Sequence, residues 1–322
     1  GKDPQRAVEG RFVSPEQVAH EDSIYESLEI PGGIGAAVSE QDGEAVLVQV
    51  MPGYPADEAG LRPGERIVSV DGTATEELPG GVIPAIIGEA GTQLELTVRS
   101  LDGQERDVTL TRETVDLSDT VVEATTIEGT RIGLLELASF ESPEIPGRVR
   151  NSLEELAKDG ALEGLIVDLR IVQSGYADVA LGVLALFLDG GSAGSGVGRD
   201  EVFAFEIPAG ETVPELTAVP VVVLTGPHTL STGEGFAAIM QHYGRAQIAG
   251  LPTRGNTEIV FPYALSDGSM LLLADGVYQL PDGTMFEGRG VQPDLVVEGD
   301  PWQVDVADDS QIQAAIEALR SD

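Results

Sequence analysis

Ser231 stands where an apolar strand pattern gives way to a helical one, in residues 220–236, PVVVLTGPHTLSTGEGF. A hydroxyl on such a turn meets two needs of acyl transfer. It is exposed, and the free backbone N–H groups of the first helical turn can hold an oxyanion. The strand is 221–225, an unbroken aliphatic run of the kind buried on both faces. Gly226 and Pro227 end it, and from residue 231 onward Phe236, Ala237, Ile239 and Met240 recur at helical spacing. The same pattern is met if Ser231 or Thr229 is simply the cap of that helix.

A nucleophilic serine needs a proton acceptor, and few are in reach. His228 lies three residues before Ser231 on the same turn and is one candidate base. His242 lies eleven residues after it, ~16 Å along a helix and too far for direct transfer. Glu136 and Glu258 are further candidates, provided burial raises their pKa. The only lysines are Lys2 and Lys158, in other segments. Three scattered histidines without cysteine give no zinc spacing, so no metal is expected. Gly32-Gly33-Ile34-Gly35 lacks both the Lys-Ser/Thr ending of a phosphate loop and the full dinucleotide spacing. No cofactor is implied.

Acidic residues outnumber basic ones 55 to 18, a formal charge of −37. Such a chain repels nucleic acid and anionic membrane, and neither is expected as a partner. A length of 322 residues with 42% hydrophobic content suits two or three globular domains. No apolar run reaches ~18 residues, so no spanning helix is expected. The first ten residues are polar and carry no basic-then-apolar leader; a signal or anchor is read as never present or as absent from this chain. Zero cysteines exclude disulfides and thiol catalysis.

Along the chain, residues 1–31 read as a helical arm or cap, with Ser14-Pro15-Glu16-Gln17 as its start. Residues 32–112 change to short strands and glycine turns, including an Asp71-Gly72 hairpin and a weak helix over 82–87 interrupted by Pro84. From 113 to 322 strands and helices alternate, the sign of an α/β domain with a closing helix over 310–319. Residues 190–198, rich in glycine, read as a flexible loop.

The stretch 32–112 resembles a PDZ domain, on the strength of GGIG opening a strand and of PADEAGLRPGERIVSVDG. The resemblance implies capture of protein C-termini. Backbone N–H groups of Gly32, Gly33, Ile34, Gly35 and Ala36 would take the carboxylate while the peptide adds a strand beside the helix. The bare alternative is a small β domain without a ligand.

The whole order resembles the carboxyl-terminal processing peptidases, or tail-specific proteases, in which a PDZ domain precedes an α/β serine-peptidase core. The resemblance rests on the PDZ segment, IGLLELASF, LIVDLR, LSTGEGFAAIMQHYGRAQIAG with LPTRGN, and GRGVQPD. It implies a hydrolase with Ser231 as nucleophile, unfolded or tagged protein C-termini as partners, and an extracytoplasmic location, whether periplasmic, secreted or membrane-anchored by a missing segment. Two departures fall on the chemistry. The family's lysine base, 25 residues after the serine, is Asn256 here, and an amide takes up no proton; the supporting glutamine is Val260. The family's Asn-Pro-Gly-Gly loop after DLR is reduced to Gly175, so the expected oxyanion donors are the N–H groups of Gly175 and Thr232. A tricorn-type branch of the superfamily uses a histidine from the first core strand, absent here, with a late glutamate that Glu287 would match. Two readings therefore stand: a serine endopeptidase with an unidentified base, or a decayed relative that binds peptides through its PDZ groove. A plain structural use of the fold is a third reading, without a supporting feature.

Overall fold

The computed structural model describes residues 10–41, 44–158, 160–198, 202–299, 302 and 306–321. Lys2 and the first nine residues of the expected arm lie outside them. The chain divides into two compact units, Glu16–Thr120 and a second built from residues 1–15 with Val121–Asp322.

In the first unit, five strands pair in the order Ala36–Gln41, Glu44–Val50, Arg66–Val70, Gln93–Arg99, Glu105–Thr111. Their alternation places Val38, Leu47, Ile67, Leu94, Leu96 and Val98 in one core with Val82 and Ile86 of the short helix Val82–Ile86. Asp71 and Gly72 both take positive φ, 48° and 75°, as the tight hairpin turn requires. The GGIG stretch does not open one continuous strand. The chain turns at Gly35 (φ 71°), where a Cβ would stand 2.1 Å from Cβ of Tyr54. Only glycine permits that approach, so strand Glu29–Gly33 ends before it and Ala36–Gln41 begins after.

The second unit holds a six-stranded sheet in the order Val122–Thr126, Ile132–Leu137, Gly164–Asp168, Val221–Thr225, Gln247–Gly250, Leu295–Val296. The first pair is antiparallel and the rest are parallel. The four central strands are buried and aliphatic, as strands covered on both faces must be. On one face Ile132, Leu134, Ile166, Val222 and Leu224 pack against the closing helix Ser310–Ser321. On the other, Gly133 lies under Leu156 of helix Ile145–Ala157. Buried Phe236, from helix Thr232–His242, stacks at 5.7 Å on Phe140.

A separate sheet joins Gly10–Val13, Met270–Gln279, Gly191–Gly198 and Val202–Ile207, with Glu258–Ala264 on the free side of Met270–Gln279. Two expectations change here. The first described residues form a strand ahead of helix Pro15–Ser27 rather than helix alone, because four residues carry too little pattern to register. And 190–198 is no flexible loop: Gly191–Gly198 is a strand paired on both sides. Its glycines serve close approach, since a Cβ on Gly196 would meet Phe203 at 2.2 Å and one on Gly194 the Gln279 carbonyl at 2.1 Å.

Candidate active site

Strand Val221–Thr225 delivers the chain to a turn pinned from below. The Thr229 hydroxyl donates to the Leu169 carbonyl (2.9 Å) and accepts from the Gly226 N–H (3.0 Å), while the Leu230 N–H donates to Val172 O (2.8 Å). So held, the backbone turns sharply at half-buried Ser231, with φ 51° and ψ −116°. A non-glycine residue there costs about 1–3 kcal/mol and persists only where surroundings impose it. Ser231 does occupy the N-cap position and forms a capping box with Glu234, but an ordinary N-cap has extended backbone. The strain is the feature that capping alone leaves unexplained.

What imposes the turn is Glu234, fully buried on the first turn of the helix. Its Oε2 accepts the N–H groups of Ser231 (3.0 Å) and Asn256 (2.9 Å), and its Oε1 those of Gly255 (2.6 Å) and the Thr253 hydroxyl (2.5 Å). All four partners donate, so only the carboxylate satisfies them together. Burial pushes its pKa above the ordinary range, against the pull of these donors. The Thr253 oxygen in turn accepts the Val291 N–H (2.7 Å). A Cβ on Gly290 would lie 1.9 Å from Thr253 O, and one on Gly255 2.6 Å from Gly290 N. The LPTRGN loop is thus tied directly to one carboxylate, and the GRGVQPD loop is bonded in turn to LPTRGN.

Asn256 comes beside Ser231 by this clamp: its carbonyl accepts the Ser231 N–H at 3.2 Å. The 25-residue spacing therefore closes in space, and the position where the resemblance expects lysine adjoins the serine, exposed and occupied by an amide. Glu287 accepts both the N–H (2.7 Å) and hydroxyl (2.8 Å) of Thr257, the next residue, and so steadies the same segment. The His228 ring lies against Trp302, centroids 5.1 Å apart, a neighbour that spacing did not suggest. Val260 is 48% exposed on the following strand.

Of the expected oxyanion donors, Thr232 opens the helix, and its N–H finds no acceptor among the described residues; its buried hydroxyl also has no partner there. Gly175 bridges Phe140 in parallel, with Phe140 N–H donating to Ser174 O and Tyr176 N–H to Phe140 O. That leaves the Gly175 N–H outside the ladder. Its φ of 150°, with a Cβ position 2.3 Å from Cβ of Phe140, admits only glycine.

The DLR motif does structural work. Buried Arg170 binds Asp168 through Nε and Nη2 (2.6–3.0 Å) and reaches Asp309 (2.8 Å) and Gln311 (3.0 Å) at the start of the closing helix. Asp309 also accepts the N–H groups of Gln311 and Ile312. Beside this network Glu136 pairs in register with Asp168 on one side and Glu123 on the other. Desolvation, then Asp168 and Glu123, push its pKa up to about 7 against the pull of Arg170. Unfolded, the same carboxyl titrates near 4.3. The folded chain thus binds the extra proton between these values, and stability falls as pH rises through them. Much of the residue reaches water, so the effect is on the order of 1 kcal/mol. Urea unfolding is expected to find Glu136→Gln more stable than the parent at pH 8 and equal to it at pH 4; a loss at pH 8 would contradict this.

In the PDZ-like unit, the Ile34 and Gly35 N–H groups meet no acceptor among the described residues, while the carbonyls of both are used, by Ala56 and Met51 (2.8 Å each). Gly32 is backed by Gly88, whose N–H donates to its carbonyl (3.0 Å) and whose oxygen would lie 1.7 Å from a Cβ. The loop offers paired donors of the kind that hold a carboxylate.

Among the described residues no group of histidine and acidic side chains is arranged to hold a metal, and no helix is long and apolar enough to cross a membrane. Comparison with known proteins gives two family matches: peptidase family S41 over residues 131–297, just over half of the chain, and a PDZ domain over 46–100. A probable CtpA-like serine protease of Staphylococcus aureus is 24% identical over 272 residues, 84% of this chain and 53% of its own length. The chain spans about half the length of the curated staphylococcal relatives it matches. A carboxyl-terminal-processing protease of Picosynechococcus sp. is 28% identical, covering 97% of this chain and 75% of the relative. Among solved structures, a photosystem II D1 C-terminal processing protease superposes with TM-score 0.72 at 25% identity, covering 95% of this chain and 81% of that one.

Proposed function

Since the chain belongs to peptidase family S41, as a member of the carboxyl-terminal processing group with a PDZ domain, we propose that it is a serine endopeptidase acting on protein C-terminal tails outside the cytoplasm. The PDZ-like unit takes the free carboxylate at Ile34 and Gly35. Ser231 attacks a peptide carbonyl, its proton passing to a base, and forms an acyl-enzyme that water hydrolyses. The N–H groups of Thr232 and Gly175 receive the oxyanion. The observation that carries the reading is the strained turn at Ser231, whose positive φ is enforced by a buried carboxylate and two loops; catalysis gives such strain a use, helix capping does not.

The experiment is incubation with an unstructured protein ending in apolar residues. Cleavage by the parent and none by Ser231→Ala is expected, a fall to background of ~10⁴-fold or more. Equal cleavage by both removes Ser231 from the reaction. A second reading is favoured by Asn256: the site is decayed and the chain acts as a PDZ-based binder of tails. Binding of free-carboxylate peptides without cleavage supports it, and equal binding of amidated peptides refutes carboxylate capture in either reading.

A further inference from the structure

The PDZ-like unit carries a charged side chain where a captured tail would run. Strand Ala36–Gln41 is the end strand of its sheet, partnered on one side by Glu44–Val50. The irregularity in that pairing places the extra residue, Val48, in the partner, so 36–41 itself stays regular. Ala36, Val38 and Glu40 therefore share one face, and Val38 packs there with Val82 and Ile86 of the flanking helix. Glu40 reaches across to the same helix: its Oε1 accepts the N–H groups of Val82 (2.9 Å) and Ile83 (3.0 Å). Gly81 leaves it room, since a Cβ there would stand 2.6 Å from Oε2. Both donors are neutral backbone groups, and the Glu40 side chain stands exposed between edge strand and helix.

From these positions we propose that the groove selects tails with lysine or arginine four residues before the last, and disfavours aspartate or glutamate there. The inference rests on the carboxylate capture proposed above. With the terminal carboxylate at Ile34 and Gly35, an added antiparallel strand sets its last residue against Ala36. Pairing proceeds one for one, so the residue opposite Glu40 is the fourth before the last. Directly opposed side chains share a face with Cβ atoms ~5 Å apart, and opposite charges so placed attract while like charges repel.

The charge of the whole unit points the same way. Residues 16–120 contain 22 acidic side chains, five arginines and no lysine. Arg62, Arg66, Arg99 and Arg106 are paired with Asp57, Glu44, Glu105 and Glu65. Arg112 is spent on the carbonyls of Ala85, Ile86 and Gln93 and on Thr92. An acidic tail thus meets no uncommitted arginine or lysine among the described residues of this unit.

The test is fluorescence anisotropy of the intact chain with ten-residue peptides ending in an apolar residue and a free carboxylate. They differ only in carrying lysine, glutamine or glutamate four residues before the last. Lysine is expected to bind roughly threefold to tenfold tighter than glutamate, with glutamine between and the ratio shrinking as salt rises. In Glu40→Gln the ratio should collapse toward one. The amide oxygen can still accept both helix N–H groups, and circular dichroism checks that the fold is kept. Equal affinity of the three peptides for the parent, or an undiminished preference in Glu40→Gln, overturns the proposal while leaving capture intact. If no peptide binds, or an amidated peptide binds as well as the free acid, carboxylate capture itself fails and this proposal with it.

Discussion

Asn256→Lys is expected to raise hydrolysis of an unstructured, apolar-ended protein by ~10²–10⁴-fold, the range a positioned general base supplies. The backbone already brings residue 256 against the serine, through the contact of its carbonyl with the Ser231 N–H. What residue 256 itself lacks is a side chain able to take the proton. Asn256 is exposed, so a lysine there keeps a pKa near the ordinary ~10.4 until substrate covers it. The gain should therefore grow with pH between about 7 and 10, since only the neutral amine accepts a proton. Adding Val260→Gln, which restores the partner that the resemblance implies, should lower the pH at which the gain appears. An Asn256→Lys protein no faster than the parent at any pH in that range would show that the missing amine is not the deficit. A slower one would point to another base already at work.

Removing the carboxylate beneath the turn should have the largest effect on stability. Glu234→Ala leaves the N–H groups of Ser231, Gly255 and Asn256 and the Thr253 hydroxyl without their acceptor in a buried place. Each orphaned donor costs about 1–3 kcal/mol, and a small cavity adds to it. With partial relaxation and water entry the loss is expected at about 3–5 kcal/mol, read as a lowered urea midpoint with unchanged slope. Glu234→Gln should fall between, because one of its two terminal groups would present donors to donors. Any reactivity of Ser231 toward a serine-directed acylating probe should vanish in both variants even below their unfolding transition. A loss under about 1 kcal/mol from Glu234→Ala would mean the turn is held by something else.

Strand Val221–Thr225 and the helix after it were plain in the sequence because both depend on local periodicity, whereas Asn256 was singled out only through the family resemblance; its carbonyl does meet the Ser231 N–H. Glu234 carried no such signal. A glutamate three residues after a serine reads as an ordinary capping box, and its contacts at Thr253 and Gly255 come from about twenty residues away. Gly191–Gly198 was misread for a related reason. Glycine lowers local strand propensity, and what excludes side chains there, the Phe203 ring at Gly196 and the Gln279 carbonyl at Gly194, comes from the strands on either side. The place of His228 against Trp302 was equally illegible, since it joins residues that share no segment.

The knot at Glu234 also orders events in time. Its outermost tie is the Val291 N–H, held by Thr253, so a growing polypeptide that stops short of that residue has the serine and its carboxylate clamp but not the bond that backs Thr253. The turn at Ser231 therefore gains its outermost support only once the chain has run on from Ser231 to Val291.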